Sequence, residues 1–183
     1  MGRKVRISKL ISLLLRHKPD MGGLTPDERG FVPLNDLVEA VIRIRGGYYT
    51  RDEVLDIIFS DTERFEVSGD LIRARYGHSF PVNPGDPLKL PEVPEVLYHG
   101  TTLEALPRIR REGLLPMSRE FVHLSLTKQR ALEVAKRRKG PHVILKIRAK
   151  ELAKKVPIYR PSRLTFLVRR VPPEHIEVEE VIR

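Results

Sequence analysis

Five prolines stand within fourteen residues, at Pro81, Pro84, Pro87, Pro91 and Pro94, with Gly85 among them. Proline fixes φ and has no N–H, so neither a helix nor an inner strand can run through such a stretch. It reads as a stiff, extended linker. The chain is therefore expected to fold as two pieces, a lobe over 1–80 and a lobe over 95–183, joined by 81–94. At 183 residues there is material for two small cores.

The first piece carries helix signals and then a hairpin. Leu10, Ile11, Leu14 and Leu15 form an apolar stripe at helical spacing, predicting a helix from Ser8 as cap to His17, stopped before Pro19. Asn35-Asp36 opens a second helix, Leu37 to about Arg43. Thr50-Arg51-Asp52-Glu53 is a capping box for a third, with Val54, Leu55, Ile57 and Ile58 mostly inward. Arg64 to Val67 and Leu71 to Arg75 alternate on either side of Ser68-Gly69-Asp70, which reads as a β-hairpin. Three short helices followed by a hairpin is the element order of a winged-helix module, a form that often binds nucleic acid.

In the second piece, Val96-Leu97-Tyr98 reads as a strand that breaks at Gly100 into a helix start, with Thr101 or Thr102 as cap and the helix around Leu103 to Arg111. A strand is expected at Phe121 to Leu124. A helix capped by Thr127 follows, ended by Gly140, with Lys136-Arg137-Arg138-Lys139 on its last turn. Further strands are expected at His142 to Ile147, near Ile158-Tyr159, at Leu164 to Val168 and at Ile176 to Ile182. The fold class is α+β.

Composition narrows the functions. With 40% hydrophobic and 32% charged residues the chain is of the soluble globular type. No apolar run approaches the roughly 18 residues of a membrane span. Leu10 to Leu15 is too short for a signal segment and runs into Arg16-His17, so a cytoplasmic protein is expected. Absence of cysteine excludes disulfides, thiolate nucleophiles and Cys-bound metals. No His-x-x-His or His-Glu-x-x-His spacing occurs, and no metal is expected. Asparagine is limited to Asn35 and Asn83 and glutamine to Gln129, which points to a thermophilic source. The net charge is +10, with 13 basic and 12 acidic residues through Phe80 and 21 and 12 after it. A cationic second piece draws phosphate-rich partners, or serves as a solubilising surface.

The residues able to do chemistry are mostly cationic. Arg16-His17 ends the first helix, and Arg73 is followed by His78-Ser79. Arg119 stands just before the strand that carries His123. Guanidinium binds phosphate in bidentate fashion and stays charged, so convergent arginines would make a phosphate clamp; dispersed, they would be surface arginines. His99 and His123 fall on two expected strands beside small hydroxyl residues, either as half-buried strand histidines or beside a flat polar ligand.

Leu15-Arg16-His17-Lys18-Pro19, Ile72-Arg73-Ala74-Arg75-Tyr76-Gly77-His78-Ser79, Tyr98-His99-Gly100-Thr101, Met117 to Ser125 and Val171-Pro172-Pro173-Glu174-His175-Ile176 occur in this order. Together they closely resemble the NAD-dependent RNA 2′-phosphotransferases, which remove the splice-junction 2′-phosphate from tRNA. The resemblance covers nearly the whole chain. It implies an N-terminal winged-helix lobe and a C-terminal ADP-ribosyltransferase-like lobe, with NAD as co-substrate and a 2′-phosphorylated RNA, spliced tRNA or another, as partner. It further implies a catalytic group of Arg16, His17, Arg73 and Arg119, and an NAD site of His99, Gly100, Thr101, His123, Leu124 and Ser125. His78 and Ser79 would contact substrate at the lobe interface. His17 would act in proton transfer or electrostatically. A monomer is expected. The chain departs from the family pattern at Arg75-Tyr76, where Asn-Gln is usual, and at Arg163 to Val168, which lacks the usual Gly-Val pair.

Overall fold

In the computed structural model, which describes residues 2–183, the first apolar stripe winds into helix α1, Arg3–Arg16. It begins five residues before the expected cap. Ile7 is already buried with Leu10, Ile11 and Leu14, so the stripe extends N-terminal to Ser8 and the helix follows it. Gly2 takes the N-cap position in an extended conformation, and the Ser8 hydroxyl instead accepts a hydrogen bond from Arg64 Nη1 at 3.2 Å.

Helix α2 spans Leu34–Ile44 and α3 spans Arg51–Ser60. The capping box at α3 is formed as read: Thr50 Oγ1 accepts from the Glu53 backbone N–H at 3.2 Å, and the Glu53 carboxylate accepts from the Thr50 N–H. The hairpin strands are β2, Phe65–Ser68, and β3, Leu71–Ala74. A two-residue strand not anticipated from sequence, β1 at Val32–Pro33, pairs antiparallel with β3 and gives the order β1-β3-β2. Its proline fits a short edge strand, where one face of the backbone needs no ladder donor. The three helices and the hairpin close over one apolar core containing Leu14, Leu37, Val41, Val54 and Ile72.

The chain divides into two compact units between Asn83 and Pro84. The second unit has its own core and a six-stranded antiparallel sheet. Its strands are β4, Val96–Thr102; β5, Val122–Ser125; β6, His142–Arg148; β7, Ile158–Tyr159; β8, Thr165–Val168; and β9, Ile176–Ile182. They are ordered β7-β8-β5-β4-β6-β9. Helix α4, Leu106–Glu112, carries Pro107 in its first turn, and α5 is Lys128–Ala135. A short α6 at Ala149–Ala153 was not anticipated. Together the two units make an α+β protein. No helix among the described residues is long and apolar enough to cross a membrane.

Two expectations in this unit are corrected. Strand β4 does not break at Gly100 but continues to Thr102, pairing with β6 along its whole length. Gly100 is needed for a different reason: α5 lies directly on the strand there, and a Cβ would overlap the Ala131 carbonyl. The helix after Thr127 stops at Ala135 rather than running to Gly140. Ala131 and Ala135 are its last residues buried against Ile144, and Lys136 to Lys139 are all exposed. A turn with no apolar face to bury gains nothing from helical packing. His142 Nε2–H donates to the Arg138 carbonyl at 2.7 Å and fastens that basic segment as a turn.

Candidate functional site

The C-terminal end of α1 presents Arg16 and His17 side by side. Arg16 is 9% exposed, and its guanidinium carbon stands 5.0 Å from the centre of the Tyr76 ring. Tyr76 is one of the two residues that depart from the family pattern, and here it supplies an aromatic face for that cation. The Arg16 side chain also lies across Gly77, with Cδ and Nε 3.1 Å from where a Cβ would stand, which Gly77 permits at φ +93°. The Arg16 carbonyl accepts from the Ser79 backbone N–H at 2.9 Å. The segment after β3 is thereby tied to the end of α1. His17 is the exposed C-cap residue, its N–H donating to the Leu13 carbonyl.

Arg73 is held by β3. Its Nε donates to Glu66 Oε1 at 2.8 Å, its Nη1 donates to the Arg29 carbonyl at 3.2 Å, and its guanidinium stands 4.5 Å from the Phe31 ring centre. Glu66 also accepts from Arg75 Nη1 at 3.0 Å. Glu66 was not singled out from sequence, yet a signal was there. The hairpin register sets Glu66 directly opposite Arg73, the arrangement in which opposite charges on neighbouring strands attract.

His78 completes this cluster. It is 7% exposed and packs edge-on against Phe80, with ring centres 5.4 Å apart. Burial, then the charges of Arg16, Arg73 and His17, push its pKa down to about 4. Four residues from two distant parts of the sequence are thus brought close enough to act on one another. Ser79 is at the exposed edge of the same group.

In the second unit, the His99 imidazole of β4 reaches the backbone of His123 on β5. These two strands share a single register pair, Tyr98 with Ser125, and the ladder ends there. Beyond it His99 Nδ1–H donates to the His123 carbonyl at 2.9 Å, a side-chain bond where further ladder bonds are missing. That bond fixes the tautomer, leaving Nε2 as an acceptor. Burial lowers the His99 pKa, the bond to His123 raises it, and the Arg138 charge lowers it; the net shift is downward, so the ring stays neutral.

The gap opens into a cavity of about 410 Å³, whose lining includes His99, Gly100, Thr101, Arg119 and His123. Arg108, Arg137 and Arg138, none of them anticipated, line it as well. Arg137 and Arg138 follow the early end of α5, in the turn that His142 fastens. Leu124 and Ser125 are placed otherwise. Strand alternation turns Leu124 into the core, and Ser125 is buried between its partners Tyr98 and Thr165. Of these two, only the strand backbone or the Ser125 hydroxyl could serve a ligand.

Each unit thus carries its own group of guanidinium and imidazole side chains, a donor set of the kind that binds phosphate. The chain belongs to the family described as RNA 2′-phosphotransferase, Tpt1 / KptA family, which matches residues 2–170. It is 45% identical over 175 residues to the "Probable RNA 2′-phosphotransferase" of Thermococcus kodakarensis, covering 93% of this chain and 94% of that one. The protein of the same name in Pyrococcus furiosus is 41% identical over 178 residues, covering 95% and 94%. The one in Streptomyces coelicolor is 44% identical over 143 residues, covering 78% and 77%.

Proposed function

We propose that this chain is an NAD-dependent RNA 2′-phosphotransferase, working in the cytoplasm as a monomer on spliced tRNA or another RNA carrying a 2′-phosphate. Residues 2–83 act as a winged-helix-like lobe and residues 84–183 as an ADP-ribosyltransferase-like lobe. The observation that carries the reading is the grouping of Arg16, His17 and Arg73 around His78. A dianionic phosphate needs several fixed cations at once, and side chains 57 residues apart in sequence are gathered to supply them.

The cavity of the second unit suits NAD by its donor set. Arg119, Arg137 and Arg138 offer cations for a pyrophosphate, and the neutral His99 offers an acceptor held at a fixed angle. His99, Gly100, Thr101, His123 and Ser125 are assigned to this co-substrate, with Leu124 contributing backbone only. Gly100 contributes by letting α5 approach the strand.

In the first step an oxygen of the RNA 2′-phosphate bonds to the nicotinamide ribose carbon and the bond to nicotinamide breaks, leaving ADP-ribosylated RNA. In the second, the ribose 2″-hydroxyl bonds to phosphorus and gives up its proton. The bond from phosphorus to the RNA 2′-oxygen breaks, and that oxygen takes a proton. The products are RNA with a 2′-hydroxyl and ADP-ribose 1″,2″-cyclic phosphate. Arg16, Arg73 and Arg119 spread the charge that builds on the transferring phosphate. His17, exposed at the helix end, is assigned to proton transfer in the second step. His78 and Ser79 hold the substrate side of the first unit, with Ser79 fastened to the Arg16 carbonyl.

The test is a short RNA bearing one internal 2′-phosphate, incubated with and without NAD. Loss of the phosphate only with NAD, with nicotinamide and the cyclic phosphate released, is expected. Arg16→Ala and Arg119→Ala should accumulate ADP-ribosylated RNA. Phosphate loss without NAD, or no loss at all, overturns the activity; full turnover by both variants removes those arginines from the mechanism.

A further inference from the structure

A further cationic pocket lies in the first unit and shares no residue with the groups described above. It measures about 410 Å³ and is lined by Arg3, Arg6, Ile44, Arg45, Tyr48 and Tyr49. Arg3 and Arg6 are three apart on α1 and so share a face. Arg45 is the C-cap residue of α2, and the chain then turns back through Gly46-Gly47. There the Gly46 N–H donates to the Arg43 carbonyl at 3.1 Å and the Gly47 N–H to the Ile42 carbonyl at 2.9 Å.

This loop is fixed at its far end too. Arg3 Nη2 donates to the Tyr48 carbonyl at 2.6 Å, Arg3 Nε donates to Glu53 at 2.8 Å, and its guanidinium stands 4.3 Å from the Tyr49 ring centre. Tyr49 is 8% exposed and belongs to the core, whereas Tyr48 is 79% exposed. Core packing does not account for a tyrosine held on an ordered loop with its ring in water. Glu53, the acid at this pocket, is already engaged by Arg3. Arg6 and Arg45 have no side-chain hydrogen bond or ion pair among the described residues.

A planar ring on a fixed backbone, flanked by two uncommitted guanidinium groups, is what a single-stranded nucleic acid requires. A base stacks on the ring, and the adjoining phosphates meet the cations. A duplex hides its base faces and would use only the arginines. We propose that this pocket binds a single-stranded stretch of the RNA substrate other than the nucleotide bearing the 2′-phosphate, with one base on Tyr48 and its phosphates on Arg6 and Arg45. The inference rests on the reading of RNA as substrate. The pocket touches no reacting group, so it governs how tightly longer RNAs are held and leaves turnover alone.

Binding is measured first, by fluorescence anisotropy with a labelled single-stranded RNA of about twelve nucleotides that carries no 2′-phosphate, without NAD. Tyr48→Ala should weaken binding about tenfold, and Tyr48→Phe should restore most of it. Replacing Arg6 and Arg45 by Gln should flatten the salt dependence by about 1.4 in log–log slope, the value for two phosphate contacts on a single strand. In turnover, Tyr48→Ala should raise KM about tenfold for a long 2′-phosphorylated RNA. It should not change KM for a trinucleotide bearing the same group, nor kcat for either. Because Tyr48 is exposed, its variants keep the wild-type melting temperature. Unchanged binding and unchanged long-RNA KM in Tyr48→Ala overturn the proposal, as does equal loss of binding to a fully paired hairpin. Should the wild type bind single strands through Tyr48 yet leave a 2′-phosphate untouched, the pocket stands and the catalytic reading falls.

Discussion

Gly100→Ala separates two reasons for a glycine in strand β4. If Gly100 served only to let a ligand approach, a methyl group would alter NAD binding and leave the empty protein's stability unchanged. The structure says otherwise. A Cβ at this position would lie 2.7 Å from the Ala131 carbonyl carbon and 3.0 Å from the Ala135 Cβ, and would overlap the Ala131 carbonyl oxygen. Ordinary carbon contacts are about 3.5–4.0 Å, so α5 must retreat by roughly 1 Å. A gap of that size forfeits up to about half of the dispersion energy between the helix and the strand beneath it. Backbone, unlike a side chain, has no alternative rotamer, which places the cost at about 2–3 kcal/mol, the upper part of the range for overpacked cores. For a unit of this size that is a fall of roughly 10 °C in its melting midpoint, measured by calorimetry without NAD. The same retreat carries Val134, Ala135, Arg137 and Arg138 away from the cavity they line, and a displacement near 1 Å costs about a hundredfold in rate. A variant that melts within about 1 °C of wild type while losing affinity for NAD would refute the packing argument.

Two further outcomes are expected. His78 stays neutral when folded down to a pKa of about 4, against 6.5 for a free imidazole, so the unfolded chain takes up the proton first. Its contribution to stability is full above pH 6.5 and is lost as the pH falls through the interval to about 4, at most about 3 kcal/mol. His78→Gln should flatten the fall of the first unit's denaturation midpoint over that interval, and an equally steep fall in both proteins would count against the burial. Thr50→Ala removes the side-chain acceptor for the Glu53 N–H at the start of α3 and should cost about 1 kcal/mol in urea unfolding of the first unit, with Thr50→Ser recovering most of it.

Local chemistry made much of this protein legible. The capping box at Thr50 and Glu53, the hairpin turn at Ser68-Gly69-Asp70 and the strand expected at Phe121 to Leu124, found one residue on at Val122–Ser125, are each specified within a few residues. The order and spacing of Arg16-His17, Arg73, His99 and Arg119 pointed to the family that the comparison over residues 2–170 then established. Element ends were less legible. α1 starts early because Ile7 finds a core to enter, and α5 stops early because Lys136 and its neighbours find none.

What the sequence determined by itself was therefore the kind of side chain at each point and the elements that nearest neighbours can enforce. Only the tertiary structure decided which of those side chains meet. The gathering of Arg16, His17 and Arg73 around His78 depends on the end of α1 reaching the segment after β3, joined by the Ser79 N–H and the Arg16 carbonyl. The cavity depends on β4 and β5 parting after one register pair, with His99 bridging the gap. Gly100 reads in sequence as the end of a strand and lies instead within a continuous one, under a close-packed helix. Each of these is a non-local encounter whose energy lies in packing and desolvation between distant segments, and no spacing along the chain encodes that distance.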